Sequence, residues 1–324
     1  MENTKRLEYL DATKGFSILL IVLGHIYTKE NVINAYMYSF HVPIFFIISG
    51  MLLKYKNKDT ENIGKIVKSR LKGLIIPYFT FDAFNILIYL FLNGFTYENI
   101  RWNIIDTLLL YGRGATWFLP CIFIGEILFL LIKKYLKQDL CVILISTILF
   151  LIPIVIHSKG LITLILFRGL IAVGFICLGY YIFNNEKIFN IKSLIVFILL
   201  YILIPKNTAN AELFSLNFEN PVLYILNAVL GSLIVINTFK EIKITKVLTK
   251  IGTNTLVIMS THQSILSLVL YNYDNKFKGN DIQGLLLLLL IMIIEIPIIY
   301  IVNNYLPFMT GKFPKKKNVQ TITG

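Results

Sequence analysis

The chain has 324 residues, 56% of them hydrophobic, and a mean hydropathy of +0.72, more apolar than a water-soluble domain with a polar surface allows. Its net charge of +13 would suit nucleic acid, but Lys and Arg gather in alternate loops between apolar blocks, which is the orientation signal of membrane proteins. Composition and charge pattern thus exclude a soluble fold and argue against a nucleic-acid partner.

The apolar blocks lie at Phe16–Ile26, Pro43–Leu53, Leu74–Leu92, Phe118–Ile132, Leu140–Ile156, Leu161–Phe183, Leu194–Ile204, Val222–Ile236, Leu256–Leu270 and Ile282–Val302. With their flanks they approach the ~20 residues that cross a hydrocarbon core of about 30 Å. One set of intervening loops carries Lys5 and Arg6, then Lys54 to Lys72, Lys133 to Lys137, Lys187 with Lys192, Lys240 to Lys250 and Lys312 to Lys317. The other set carries only Lys29, Arg101, Lys159, Lys206, Lys276 and Lys278. This alternation predicts an all-α protein of about ten transmembrane helices with both termini in the cytoplasm, a multi-pass protein of the cytoplasmic membrane in contact with its lipids. A membrane domain over 1–310 and a basic cytoplasmic tail over 311–324 follow, with the first span retained because no small-residue cleavage site comes after it. Cys121, Cys141 and Cys177 all fall in apolar blocks, so packing is expected of them and no metal site.

In the first span Lys14 and His25 are eleven residues apart, almost three whole turns, and share a helix face; Asp11 lies about 40° from His25. If Asp11 and Lys14 mark the inner boundary, His25 stands about 16 Å above Lys14, in the outer half of the membrane. Histidine has an ordinary pKa that suits proton transfer near neutrality. The competing reading is a histidine that only bonds a neighbouring helix. A short hairpin then returns His41, in Ser39-Phe40-His41-Val42-Pro43, to the depth of His25, and Ser49-Gly50 reads as a point of close helix packing. Lys65, Lys68, Arg70 and Lys72 form a cationic stretch that fits an amphipathic helix on the inner leaflet ahead of a break at Pro77. Asn93–Asn103 and Pro205–Asn220 are the longest outer loops and candidate rims for an external substrate.

The order Tyr9-Leu10-Asp11, Lys14-Gly15, Leu23-Gly24-His25, then Phe40-His41-Val42-Pro43-Ile44-Phe45-Phe46 and Ser49-Gly50, resembles the opening of the acyltransferase-3 family of integral membrane O-acyltransferases. The likeness continues through Arg70-Leu71-Lys72, Ile76-Pro77-Tyr78, Thr116-Trp117-Phe118-Leu119 with Glu126, Gly252-Thr253-Asn254-Thr255-Leu256 and Thr261-His262. It spans almost the whole chain, without the esterase-like domain of longer members, and is similar to sugar O-acetylases. The resemblance implies transfer of acetyl from acetyl-CoA, with no metal, to a hydroxyl of a capsule, exopolysaccharide or lipopolysaccharide glycan, free or lipid-linked. His25 would be general base or acyl carrier, with His41 and Asp11 also assigned to catalysis, Asp11 to stabilise charge or orient Lys14. Lys14, Lys68, Arg70 and Lys72 would hold the phosphates of coenzyme A.

The supporting residues are Trp117, Glu126, Arg168 and His262. Arg168, inside a span, should not face lipid and is expected to pair with Glu126 or Glu295, the alternative being a role at the acyl carbonyl. Trp117 reads either as a headgroup anchor or as a wall of the site, and His262 as an interhelical bond or a second titratable group. His157 is expected only to meet water, and Asp82 and Glu295 carry no assigned role. A transporter or flippase for a lipid-linked sugar would also carry ionisable groups inside its spans, but the paired interrupted helices of such proteins are not seen. A scaffold would leave Asp11, Lys14, His25 and His41 without a task.

Overall fold

The computed structural model describes residues 6–27, 32–156, 160–204, 212–242, 246–271 and 281–313, with only the backbone of 32–35 and 281. His157, Lys29, Lys159, Lys206, Lys276, Lys278 and the tail from 314 lie outside the described residues. In chain order the helices are α1 (Glu8–Ile26), α2 (Val32–Phe40), α3 (Pro43–Tyr55), α4 (Ile63–Arg70), α5 (Ile76–Asn93), α6 (Tyr97–Leu108) and α7 (Phe118–Tyr135). They continue with α8 (Asp139–Val155), α9 (Leu161–Ile182), α10 (Ile191–Leu203), α11 (Pro221–Glu241), α12 (Lys246–Thr253), α13 (Thr255–Val269) and α14 (Asp281–Asn304). Among the described residues there is no strand, only an isolated bridge between Glu212 and Asn217. Seven segments are long and apolar enough to cross a membrane, and α8, α10 and α13 are shorter apolar helices. The protein is an all-α, multi-pass membrane protein.

Helices meet backbone to backbone where glycine removes the Cβ, as expected when apolar side chains gain little by leaving lipid. A Cβ on Gly179 of α9 would stand 1.9 Å from the Ile47 carbonyl oxygen of α3, and one on Gly50 of α3 2.0 Å from that of Ile176. Ser49-Gly50 is therefore a point of close packing, as the small side chains suggest. Gly15 and Gly252 bring α1 equally close to α12.

Two local features differ from the sequence expectation. The chain does not break at Pro77: α4 runs through a π-helical turn, Leu71–Ile75, into α5. The wider turn bonds the Ile76 N–H to the Leu71 carbonyl, and Pro77, which has no N–H to offer, is seated at the start of α5 beyond it. Within the presumed outer loop 93–103, α6 begins at Tyr97, because the Thr96 hydroxyl accepts from the Asn99 N–H at 3.2 Å and caps it.

Candidate active site

The end of α1 places His25 in a small cavity of about 80 Å³, lined also by Tyr38, His41, Phe45, Trp117, Phe214 and Met259 among others. The turn between α2 and α3 delivers His41 to the same cavity, so the two histidines expected at one depth do meet. His41 Nδ1 lies 2.6 Å from the Met37 carbonyl; a carbonyl only accepts, so Nδ1 carries a proton, and in the neutral ring Nε2 is the acceptor. Tyr38 stands edge-on to His41, ring centroids 4.7 Å apart, and donates to the Gly24 carbonyl at 3.1 Å. This bond ties α2 to the turn of α1 that holds His25.

His262 of α13 is fully buried, and its ring centre is 5.3 Å from that of His25. Its Nδ1 donates to the Ile258 carbonyl at 2.8 Å, while Nε2 has no hydrogen-bond partner among the described residues. The closest bond to His25 comes from Gln263, whose amide nitrogen is 2.8 Å from Nε2 and 3.0 Å from Nδ1. The amide donates to whichever ring nitrogen lacks a proton. Neither Gln263 nor Tyr38 is distinguishable from other polar residues in the sequence, and the neighbouring His262 is the one cue to that stretch of α13.

Arg168 is not paired with Glu126 or Glu295. Its guanidinium donates to the carbonyls of Phe214 at 2.7 Å and Tyr111 at 3.2 Å, and lies over the rings of Phe214, Tyr111 and Trp117 at 4.1, 4.9 and 5.3 Å. Carbonyl dipoles and aromatic faces hold the cation directly, and Glu212, on the wall of the same cavity, adds a nearby negative charge. Trp117 belongs to the cavity wall and is 9% exposed, so it is no headgroup anchor. By binding the Phe214 carbonyl and lying against the Trp117 ring, Arg168 holds two residues of that wall, and it ties them to the Tyr111 backbone. Glu295 instead accepts from Thr261 at 2.7 Å. Asp82 accepts from the hydroxyls of Thr107 and Thr116 and from the Arg113 N–H at 2.9 Å. It ties α5 to the segment that leads into Trp117.

Towards the start of α1 the groups are charged. Asp11 pairs with Arg6 and with Lys14, the latter at 2.8 Å. Asp11 therefore stands at the opposite end of α1 from His25. Arg70 turns inward to Glu126 at 2.5 Å, and Glu126 also accepts from Ser49. Lys72 lies 5.6 Å over the Phe313 ring, and Lys68 is exposed on α4. Partial burial, followed by the charges of Arg70, Lys58 and Lys14, lowers the pKa of Lys56 at the end of α3. The shift identifies a group of cations at this end of the bundle. The four cations proposed from the sequence thus divide: Lys14 and Arg70 are bound to carboxylates, and Lys68 and Lys72 face outward.

A family model described as an acyltransferase domain matches residues 7–304. No curated protein and no solved structure matches the chain.

Proposed function

The chain belongs to the acyltransferase-3 family and is a membrane acyltransferase; on that premise we propose that it moves acetyl from acetyl-CoA to a hydroxyl of a cell-envelope glycan at the cytoplasmic membrane. The observation that carries the reading is the placement of His25 in a small, mostly apolar cavity at the end of α1, with His41, Trp117 and Met259 around it. A cavity of about 80 Å³ has room for only a few water-sized groups, a size suited to a short acyl chain and too small for a long one.

In this reading His25 takes the proton of the acceptor hydroxyl as its oxygen bonds to the acyl carbon. The carbon–sulfur bond breaks, and His25 returns the proton to the departing thiolate. In the relay variant His25 itself first receives the acyl group, and the coenzyme leaves before the hydroxyl attacks. Either course needs His25 to surrender the Gln263 hydrogen bond, and a base so placed contributes about 10²–10⁴ in rate. His262, whose Nε2 has no hydrogen-bond partner among the described residues and whose ring centre is 5.3 Å from that of His25, is a group able to share that proton.

Lys68 and Lys72, with Lys56 beside Lys14 and Arg70, suit the phosphates of the donor at the start of α1, because point charges need no fixed geometry to bind phosphate. The basic loops favour the cytoplasmic side for this end. The acyl group then has about 16 Å to cover along α1 between Lys14 and His25, a span for the flexible arm of the thioester.

The test is label transfer from [14C]acetyl-CoA to glycan in membranes of the host. His25→Ala should lower incorporation at least 100-fold at equal protein abundance, and His25→Ala membranes that label like wild type would end the assignment.

A further inference from the structure

A second cavity, of about 380 Å³, lies between α5, the turn at Arg113-Gly114 and α13. Its polar lining comes from Asn85, Asn93, Arg113, Gln263, Ser264 and Ser267, and Tyr89 and Tyr271 add ring faces. We propose that this cavity receives the acceptor as a sugar ring and presents one of its hydroxyls to His25 past Gln263, an inference that rests on the acyltransferase reading.

Size separates the two cavities. The His25 cavity, about 80 Å³, cannot hold a sugar together with the acyl group, whereas about 380 Å³ falls in the range of small-molecule sites, about 300–1,000 Å³. Chemistry separates them as well. Small-molecule sites are mostly apolar, whereas here Asn85, Asn93, Ser264, Ser267 and Gln263 each hold a hydrogen bond within the protein and, with the Arg113 guanidinium, keep further donor and acceptor capacity for a polar ligand. A cavity walled by such groups therefore fits a ligand with hydroxyls all round.

The lining is also pre-organised. Asn85 donates to the Ser260 carbonyl at 2.9 Å and accepts from Ser264 at 2.7 Å, which fixes α5 against α13. The Arg113 guanidinium sits 3.8 Å over the Tyr89 ring and makes no ion pair among the described residues, so its N–H groups remain for a ligand.

Position completes the argument. Gln263 lines this cavity, while its amide nitrogen touches the His25 ring that lines the other. Behind it is Gly114, at φ +60°, where a Cβ would stand 2.5 Å from the Gln263 side-chain oxygen. Any larger residue would push Gln263 out of the gap between the cavities. An acceptor hydroxyl that displaces the Gln263 amide from His25 occupies the place from which its proton can be taken.

The experiment uses the full chain in its host, at matched membrane abundance, with Tyr89→Ala, Ser267→Trp and His25→Ala. Ser267 is exposed, so Trp there fills the cavity without entering packed structure. Two quantities are read: O-acetyl per glycan repeat by proton NMR, and the rise in melting temperature of purified protein on adding acetyl-CoA. The expected result is at least a tenfold fall in glycan acetylation for Tyr89→Ala and Ser267→Trp, with the acetyl-CoA shift retained within a degree or so of wild type. Unchanged acetylation in both variants overturns the acceptor site, as does joint loss of acetylation and of the acetyl-CoA shift, which marks a structural effect. Wild-type acetylation in His25→Ala overturns the acyltransferase reading itself, and the acceptor site with it.

Discussion

Removing either partner of the Arg70–Glu126 pair should cost unequal amounts, because the two partners are unequally buried. The Glu126 side chain is 4% exposed and that of Arg70 29%. Arg70→Met leaves a buried carboxylate with Ser49 as its remaining donor, and a stranded buried charge costs about 3–5 kcal/mol. Glu126→Leu leaves Arg70, whose long side chain can swing towards water, so screening reduces the loss to about 1–2 kcal/mol. The double variant Arg70→Met/Glu126→Leu strands no charge. Apolar replacement of a buried pair is often near neutral, and the double should lose about 1 kcal/mol or less. The assay is unfolding by sodium dodecyl sulfate in mixed micelles, followed by helical circular dichroism. A coupling of at least about 3 kcal/mol between the two substitutions is expected. Equal losses for the two single variants, with a double that is their sum, would refute the burial argument.

Gly179→Val should leave little monodisperse protein after size-exclusion chromatography, because overpacking at a point where a Cβ already falls 1.9 Å from the Ile47 oxygen costs at least about 1–3 kcal/mol. Arg168→Met should lower acyl transfer at least tenfold, since the Tyr111 and Phe214 carbonyls lose their donors and the Trp117 wall its support; Arg168→Lys should fall between, and a Met variant of full activity would contradict the clamp. The lowered pKa of Lys56 gives a pH prediction. The ammonium is charged below its pKa and neutral above it, so the apparent KM for acetyl-CoA should begin to rise at a pH below the ordinary lysine range. Lys56→Met should flatten that rise in initial-rate measurements.

The spans were legible because the bilayer imposes length and composition on each segment, and Lys14 and His25 because a helix period puts them on one face. The meeting of His25 with His41 was legible for the same reason: a short hairpin can return the chain only to the depth it left. What lay beyond reading was set by contacts between distant segments. Gln263 reaches His25 across 238 positions of sequence, and beyond the adjacent His262 nothing in its flanking residues marks it. An arginine inside a span calls for a carboxylate, yet backbone carbonyls and three aromatic rings bind Arg168 directly, and carbonyls leave no trace in a sequence. The π-helical turn before Pro77 was missed because a proline signals disrupted hydrogen bonding without saying whether the helix ends or widens.

The measurement that bears most directly on the central claim is the O-acetyl content of the host's surface glycan by proton NMR, in cells carrying wild type or His25→Ala at equal membrane abundance. The account predicts acetyl resonances with the wild type and their disappearance with His25→Ala. Equal acetyl signal in the two strains would contradict it.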